Sequence, residues 1–301
     1  MHLTSTLAHT GMDMKAVREV SLTINAAHLF IYFVPEAPDE AATLGVSENG
    51  PAYFAFRSAP MGLVPWQVTL AAFYNFSPRS VQAMAGVWDA ATPQRWQAAR
   101  FAAVDRAMRR VGVDLTTDQI AEARSLIDPV VAHADYAGKT MAAANASVPL
   151  PADPLVALWQ QITVLREWRG DAHFTVLAAG DVGPCDCNVL QSATGHFPEV
   201  IARATRLWND EEVAAATTRL VARGWLSADG TATAAGIAAR EQIEAATDEH
   251  CAALWAPIGD ANVRRLTSLI LPIHEAFTAA GTYPFRVETG ATRQSPWRKD
   301  T

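Results

Sequence analysis

"TTRLVARGWLSADGTATAAGIAAREQIEAATD" occupies residues 217–248, and its reading decides the fold. Its first residues continue a helix that stops at Gly224. The stretch from Trp225 to Ala234 then splits about Asp229-Gly230, a dipeptide that favours tight hairpin turns, and predicts two short strands. From Ala234 onward Ala, Arg, Ile and Glu recur at helical spacing, which predicts a long helix through to about Gly259. The stretch therefore reads as a helix, a small β-wing and a second helix.

The neighbouring sequence extends the pattern. Asp153-Pro154 supplies an N-cap followed by proline at the first helical position, so a helix runs to about Ala179 and ends at Gly180. Pro184 opens a short helix over 185–195, and Pro198 opens another to about Leu207. Asn209 or Asp210 caps a helix through Arg223. Downstream, "DANVRRLTSLILPIHEAFTAAG" (260–281) predicts a last helix, kinked near Pro272. Residues 283–301 read as an exposed tail.

This order resembles a winged helix-turn-helix of the MarR type over roughly 155–280, with 217–248 running from recognition helix through wing into the first dimerisation helix. The whole chain is also similar to a larger actinobacterial helix-turn-helix-like group. "YFVPE" (32–36), "FYNF" (73–76), "AAANASVPLP" (142–151) and "LREWRGDAHF" (165–174) carry that likeness. It implies a fold and offers no activity to borrow.

An internal repeat organises the rest. "AYFAFRSAPMGLVPWQVTLAAFYNFSPRSVQAMAGVW" (52–88) parallels "AHFTVLAAGDVGPCDCNVLQSATGHFPEVIARATRLW" (172–208). Tyr53 matches His173, Pro78 matches Pro198 and Trp88 matches Trp208, each pair 120 residues apart. The expectation is a mainly α protein of two fused, diverged winged helix-turn-helix-like repeats that form an intramolecular pseudo-dimer. The first repeat covers 15–150 and lacks a clear wing, because "VGVDLTTDQI" (111–120) stands where the hairpin should be. The second covers 151–282 and carries the small β-wing.

Composition bounds the function. The chain has 301 residues, half of them hydrophobic, with a formal net charge of −7. Such a chain builds globular cores and grips a polyanion poorly. Its three cysteines cannot form a secreted-type disulfide framework. The start shows no signal-peptide pattern and no stretch reaches the length of a membrane span, so a cytoplasmic protein without a membrane partner is expected.

DNA binding is disfavoured for the second repeat. Its candidate recognition helix opens with Asp210, Glu211 and Glu212 and carries only Arg219 and Arg223. Its wing has Asp229 and no basic residue, whereas phosphate contacts supply most of the affinity for DNA. In the first repeat, "RWQAARFAAVDRAMRR" (95–110) holds five arginines and one aspartate, and reads either as a solvated face or as a DNA footprint.

The polar residues of "LREWRGDAHF" interrupt an apolar helix. Arg169 and His173 are four apart, in line with the apolar stripe of Ile162, Leu165 and Val176. Gly170 is costly in a helix and suggests a close approach by another backbone or a ligand. Two readings stand. In one, Arg169 or Arg166 pairs with Glu36 or Asp171 in a structural knot, since buried charge must be paired. In the other, His173 and Arg169 point into a pocket at the junction of the repeats, where burial tunes the histidine.

The first repeat supplies matching residues. Arg57 lies one turn after Tyr53. Trp66 opens the helix that leads to Tyr74 and Asn75, and His28 and Glu36 flank the site from "AHLFIYFVPE" (27–36). A buried asparagine amid aromatic rings must find hydrogen-bond partners. In the catalytic version His173 is the general acid/base, Arg169 and Arg57 hold an oxygen, and Tyr74 and Asn75 orient the substrate. An apolar, aromatic-lined cavity suits a hydrophobic or aromatic ligand bearing an acceptor or carboxylate.

No motif indicates a cofactor. Cys185-Asp-Cys187 lacks the second ligand pair that zinc sites show, and neither a haem motif nor a phosphate loop is present, though metal and haem stay open. The expected partner is a small molecule, acting in specialised metabolism. The alternative is a MarR-like regulator that binds DNA, with the same cavity as effector site. The chain is either a monomeric pseudo-dimer or a homodimer.

Overall fold

The computed structural model of the chain describes residues 11–289. Its described residues form fourteen α-helices: α1 Met14–Leu29, α2 Glu36–Thr43, α3 Asn49–Ser58, α4 Trp66–Phe73, α5 Pro78–Met84, α6 Pro93–Val111, α7 Thr117–His133, α8 Thr140–Ala146, α9 Pro154–Ala179, α10 Pro184–Ala193, α11 Glu199–Arg206, α12 Asp210–Ala222, α13 Ala234–Trp255 and α14 Gly259–Ala279. From α9 onward these lie within a few residues of the expected helices.

Side chains cap the helix starts. At α1 the Asp13 carboxylate accepts from Lys15 N at 2.9 Å. At α7, Thr116 Oγ1 accepts from Gln119 N while Gln119 Oε1 accepts from Thr116 N, at 3.2 and 2.8 Å. At α12, Asn209 Oδ1 and Glu212 Oε2 exchange the same bonds at 2.8 and 2.9 Å. Each box satisfies two main-chain donors that a helix start otherwise leaves open.

The expected wing is reduced. Among the described residues there is no strand, and 225–234 holds a single antiparallel bridge between Leu226 and Ala232. Its turn is well formed: Ser227 N donates to Thr231 O at 2.9 Å, Gly230 N to Ser227 O at 2.9 Å, and Asp229 Oδ1 accepts from Thr231 N at 3.0 Å. The ladder ends there because Thr233 turns to cap α13, its Oγ1 accepting from Gly236 N at 3.0 Å. Two short arms without a third strand do not extend on their own. Gly236 is required here, because a Cβ at that position would collide with the Trp225 carbonyl.

The chain divides into two units that alternate along the sequence. Among the described residues one takes 11–30, Met108–Ala172 and 245–289, and the other takes Ile31–Ala107 and His173–Glu244. In the first unit α1 packs along α14, which also meets α7. Phe30 stacks on Phe277 with ring centres 3.9 Å apart, and His28 stacks on Trp159 at 5.0 Å. Tyr283 belongs to this packing, with its hydroxyl donating to Ala26 O at 3.3 Å and its ring stacked on His274. The start of the expected tail is thus held down, and residues 290–301 lie outside the described ones.

In the second unit α10 packs on α12 and α11. Leu177, Val182, Leu190, Leu220, Leu226 and Ile243 form its buried core, flanked by Tyr74, Phe174 and Trp225. A second aromatic group joins Phe54, Phe73, Phe76 and Trp88, with Phe54 and Phe73 rings 5.8 Å apart. Among the described residues no helix is long and apolar enough to cross a membrane.

Candidate functional site

The charged run in α9 is tied into the first unit up to Ala172. Arg166 Nη1 donates to Glu167 Oε1 at 2.6 Å and its Nε to Asn25 Oδ1 at 3.4 Å. Arg169 Nη2 reaches Asp248 Oδ1 at 3.4 Å, and Arg18 grips the other oxygen of the same carboxylate. Asp171 accepts from Ala142 N at 3.0 Å, in the first turn of α8, where a negative charge suits the helix dipole. Among their partners the arginines thus have Asp248 and Glu167. Gly170 admits no close neighbour, since a Cβ there would meet only Glu167 Oε2 at an ordinary 3.7 Å.

His173 begins the part of α9 that belongs to the second unit. Its Nδ1 stands 4.0 Å from Glu244 Oε1, and both side chains are close to nine-tenths buried. Glu244 is also paired with Arg240, one turn earlier on α13. Neither Arg240 nor Glu244 was singled out from the sequence, because their only local signal is a four-residue spacing of opposite charges.

The first-repeat residues form a second group in this unit. Arg57 is buried, donates to Tyr53 Oη at 3.3 Å and lies over the Phe73 ring at 4.4 Å. Tyr53 packs on Tyr32 and Phe76, at 4.7 and 5.9 Å between ring centres. Glu36 is buried at the start of α2, and Trp66 is half-buried at the start of α4. His28 belongs to the first unit, stacked on Trp159.

Tyr74 and Asn75 act through a turn. Tyr74 ends α4 with φ 50° and ψ −69°, a conformation L side chains rarely adopt. It is held there because its hydroxyl donates to Val182 O at 2.7 Å and its ring stacks on Phe174 at 5.1 Å. Burial, with smaller contributions from Cys187, Asp186 and Asp181, pushes its hydroxyl pKa up to about 12. The turn aims the main-chain carbonyl of Asn75, rather than its amide side chain, at two donors: Asn188 Nδ2 at 2.8 Å and Trp208 Nε1 at 3.0 Å.

Those two donors also line a cavity of about 410 Å³ within the second unit. Its walls come from α10, α11, α12 and the 226–230 turn, and include Cys185, Asn188, Ser192, Arg203, Trp208 and Asp229. Asn188 and Ser192 sit one turn apart on α10. The Ser192 hydroxyl is buried without a hydrogen-bond partner, whereas both Asn188 amide bonds are spent, on Asn75 O and on Pro184 O at 3.0 Å. Sequence reasoning missed this site. Trp208 registered only as a repeat marker, and an unsatisfied serine has no signature in one dimension. None of the expected site residues lines the cavity.

The cysteines are buried thiols. Cys187 donates to Pro184 O at 3.1 Å and Cys185 reaches Glu212 O at 3.6 Å. Burial raises their pKa values to about 11 for Cys185 and about 12 for Cys187, so neither is a thiolate at neutral pH. Among the described residues no group of three or more His, Cys, Asp or Glu is placed to hold a metal ion.

The helix-turn-helix segment α11–α12 spends its arginines internally. Arg203 bonds Glu199 at 2.7 Å and Asp210 at 2.8 Å. Arg219 forks onto both Asp186 oxygens at 3.1 Å, and Arg223 donates to Asp181 O and Gly180 O while lying on the Trp225 ring. On α6, Arg100 is buried and donates to Phe56 O, and Arg106 meets Glu40 and Asp39. Asp210 and Glu211 stay exposed at the start of α12.

Helices joined by short capped turns, with α11 leading into α12 through a left-handed Leu207, define a helix-turn-helix protein. The chain matches the model of a helix-turn-helix family over residues 17–284 and belongs to that family. No curated protein and no solved structure matches it.

Proposed function

We propose that the chain is a small-molecule-binding protein on a helix-turn-helix scaffold, with the cavity of α10, α11 and α12 as its ligand site. One observation carries this reading: α10, the helix-turn-helix segment and the 226–230 turn line a half-open cavity of about 410 Å³ beside an unpartnered hydroxyl. That volume lies in the range of small-molecule sites, which are mostly apolar with a few polar groups that fix orientation. The electrostatics agree. A DNA-reading surface draws its affinity from free basic side chains, whereas Arg203, Arg219 and Arg223 already serve acidic or carbonyl partners. His173 and Arg169 do not line this cavity, so the proposal uses no general acid–base step.

The repeat reading is supported by helix order. Helices α3 to α6 follow one another as the end of α9, α10, α11 and α12 do, about 120 residues on.

Native mass spectrometry of the gently purified chain tests the proposal. An organic mass carried by the wild type and lost in Ala193→Phe, which narrows the cavity, is the expected result. A chain at its bare mass that retards its own upstream DNA at physiological salt would replace it with the second reading, a DNA-binding regulator. Family membership over most of the chain favours that reading. In it the same cavity takes the effector.

A further inference from the structure

The cavity's wall states what kind of molecule it takes. We infer that its ligand is a planar, bicyclic-sized aromatic molecule without a negative charge and with a hydrogen-bonding substituent, stacked on Trp208 and bonded to Ser192 and Asn188. The inference rests on reading the cavity as a ligand site and adds its chemistry.

Three charged side chains line the cavity: Glu199, Arg203 and Asp229. Each is already neutralised or hydrogen-bonded. Arg203 is shared between Glu199 and Asp210. The Asp229 carboxylate accepts from Ser227 Oγ at 2.5 Å and from Thr231 N at 3.0 Å, which holds its pKa down to about 2. Asp229 therefore stays ionised, and no unpaired positive charge is left over to balance a carboxylate or a phosphate. Bringing an unbalanced charge out of water is costly. The sequence alone had allowed a carboxylate-bearing ligand, and the lining argues against one.

The polar groups left over are neutral. Ser192 Oγ is buried and unpartnered, which leaves a hydroxyl that can donate and accept. Asn188 spends its amide hydrogens on Asn75 O and Pro184 O, so its side-chain carbonyl is what remains for a ligand donor. One helical turn on α10 separates the two groups. A phenol-like hydroxyl or a ring N–H meets both demands.

The remaining wall selects shape. Trp208 lines the cavity and is anchored by its Nε1 bond to Asn75 O, so its indole is available as a stacking surface. Val189, Ala193, Ala202, Val213 and Leu226 supply the apolar part of the wall, which suits the rings of an aromatic ligand.

Isothermal titration calorimetry on full-length chain, verified ligand-free by mass, tests this with 2-naphthol and 2-naphthoate at neutral pH. The expected result is saturable binding of 2-naphthol, with 2-naphthoate at least about tenfold weaker. Ser192→Ala should lose about fivefold in affinity, the scale of one neutral hydrogen bond, while its melting temperature stays level or rises because an orphaned hydroxyl is gone. Ala193→Phe should abolish binding.

Equal or tighter binding of 2-naphthoate would overturn the exclusion of anions while leaving the cavity as the site. Absence of binding by both probes, or full affinity in Ala193→Phe, would overturn the cavity reading itself.

Discussion

Asn188 Nδ2 and the main-chain carbonyl of Asn75 are 2.8 Å apart, and Trp208 Nε1 donates to the same oxygen at 3.0 Å. A single carbonyl, presented by the left-handed Tyr74, therefore fixes two residues of the cavity wall. Ser77 N adds a third tie by donating to Arg206 O at 3.0 Å. Segments 113 and more residues apart in sequence are joined by these bonds.

Trp208→Phe keeps an aromatic ring in the wall and removes the donor. The account predicts a stability loss of about 1 kcal/mol in urea unfolding, the worth of one buried hydrogen bond. It also predicts weaker aromatic binding, because the ring loses its fixed orientation. Unchanged stability would show that the Asn75 carbonyl does not hold Trp208.

Two glycines should respond in opposite directions. Gly236→Ala drives a Cβ into the Trp225 carbonyl and should cost about 2 kcal/mol or more. Gly170→Ala lies mid-helix with only Glu167 Oε2 nearby at 3.7 Å, and should stabilise by up to about 1 kcal/mol. Denaturant midpoints of the two variants read this directly. A destabilised Gly170→Ala would mean that the glycine serves an approach the fold does not reveal.

Asp248 is the shared partner of Arg18 and Arg169, with its side chain only 3% exposed. Asp248→Asn preserves size and removes the charge, and should destabilise by about 3 kcal/mol, as expected for one half of a buried ion pair. The double variant Arg169→Met, Asp248→Asn should recover part of that loss. Additive losses would deny the coupling.

Stability should fall on acidification through the histidine range. Burial lowers the pKa of His274 below its ordinary 6.5, and burial followed by the Lys139 charge does the same for His250. The unfolded chain then takes up protons at a higher pH than the folded one, so unfolding is favoured as pH drops below about 6.5, until the folded rings themselves titrate. Melting curves from pH 7.5 to 5 should show a falling midpoint, and His274→Gln should flatten part of the slope. A midpoint rising over that window would contradict the sign.

The cysteines offer a further check. All three are buried, and Cys185 and Cys187 are protonated well above neutral pH. Ellman's reagent at neutral pH should react with essentially none in the native chain and with all three in guanidinium. Rapid native labelling would show that α10 opens.

Much of the helical plan was legible because its signals are local. Asp153-Pro154, Pro184 and Asn209 mark helix starts through their own side chains or rings, and α9 through α14 fall where those marks put them. The wing was over-read: Asp229-Gly230 does make a turn, but whether flanking residues become strands depends on a partner that the sequence does not name. Arg169 was legible as a buried charge, yet its partner Asp248 lies 79 residues away with no local pattern to single it out. The cavity was illegible for the same reason. It exists because α10, α11 and α12 leave a gap, and Ser192 lacks a partner only once they have packed.

The most direct test of the central claim is a crystal structure of the chain soaked with 2-naphthol. The account predicts density for the bicyclic ring against the Trp208 indole, with its hydroxyl within hydrogen-bond distance of Ser192 Oγ or Asn188 Oδ1. Water alone in that cavity, with the ring ordered elsewhere such as beside His173, would contradict it.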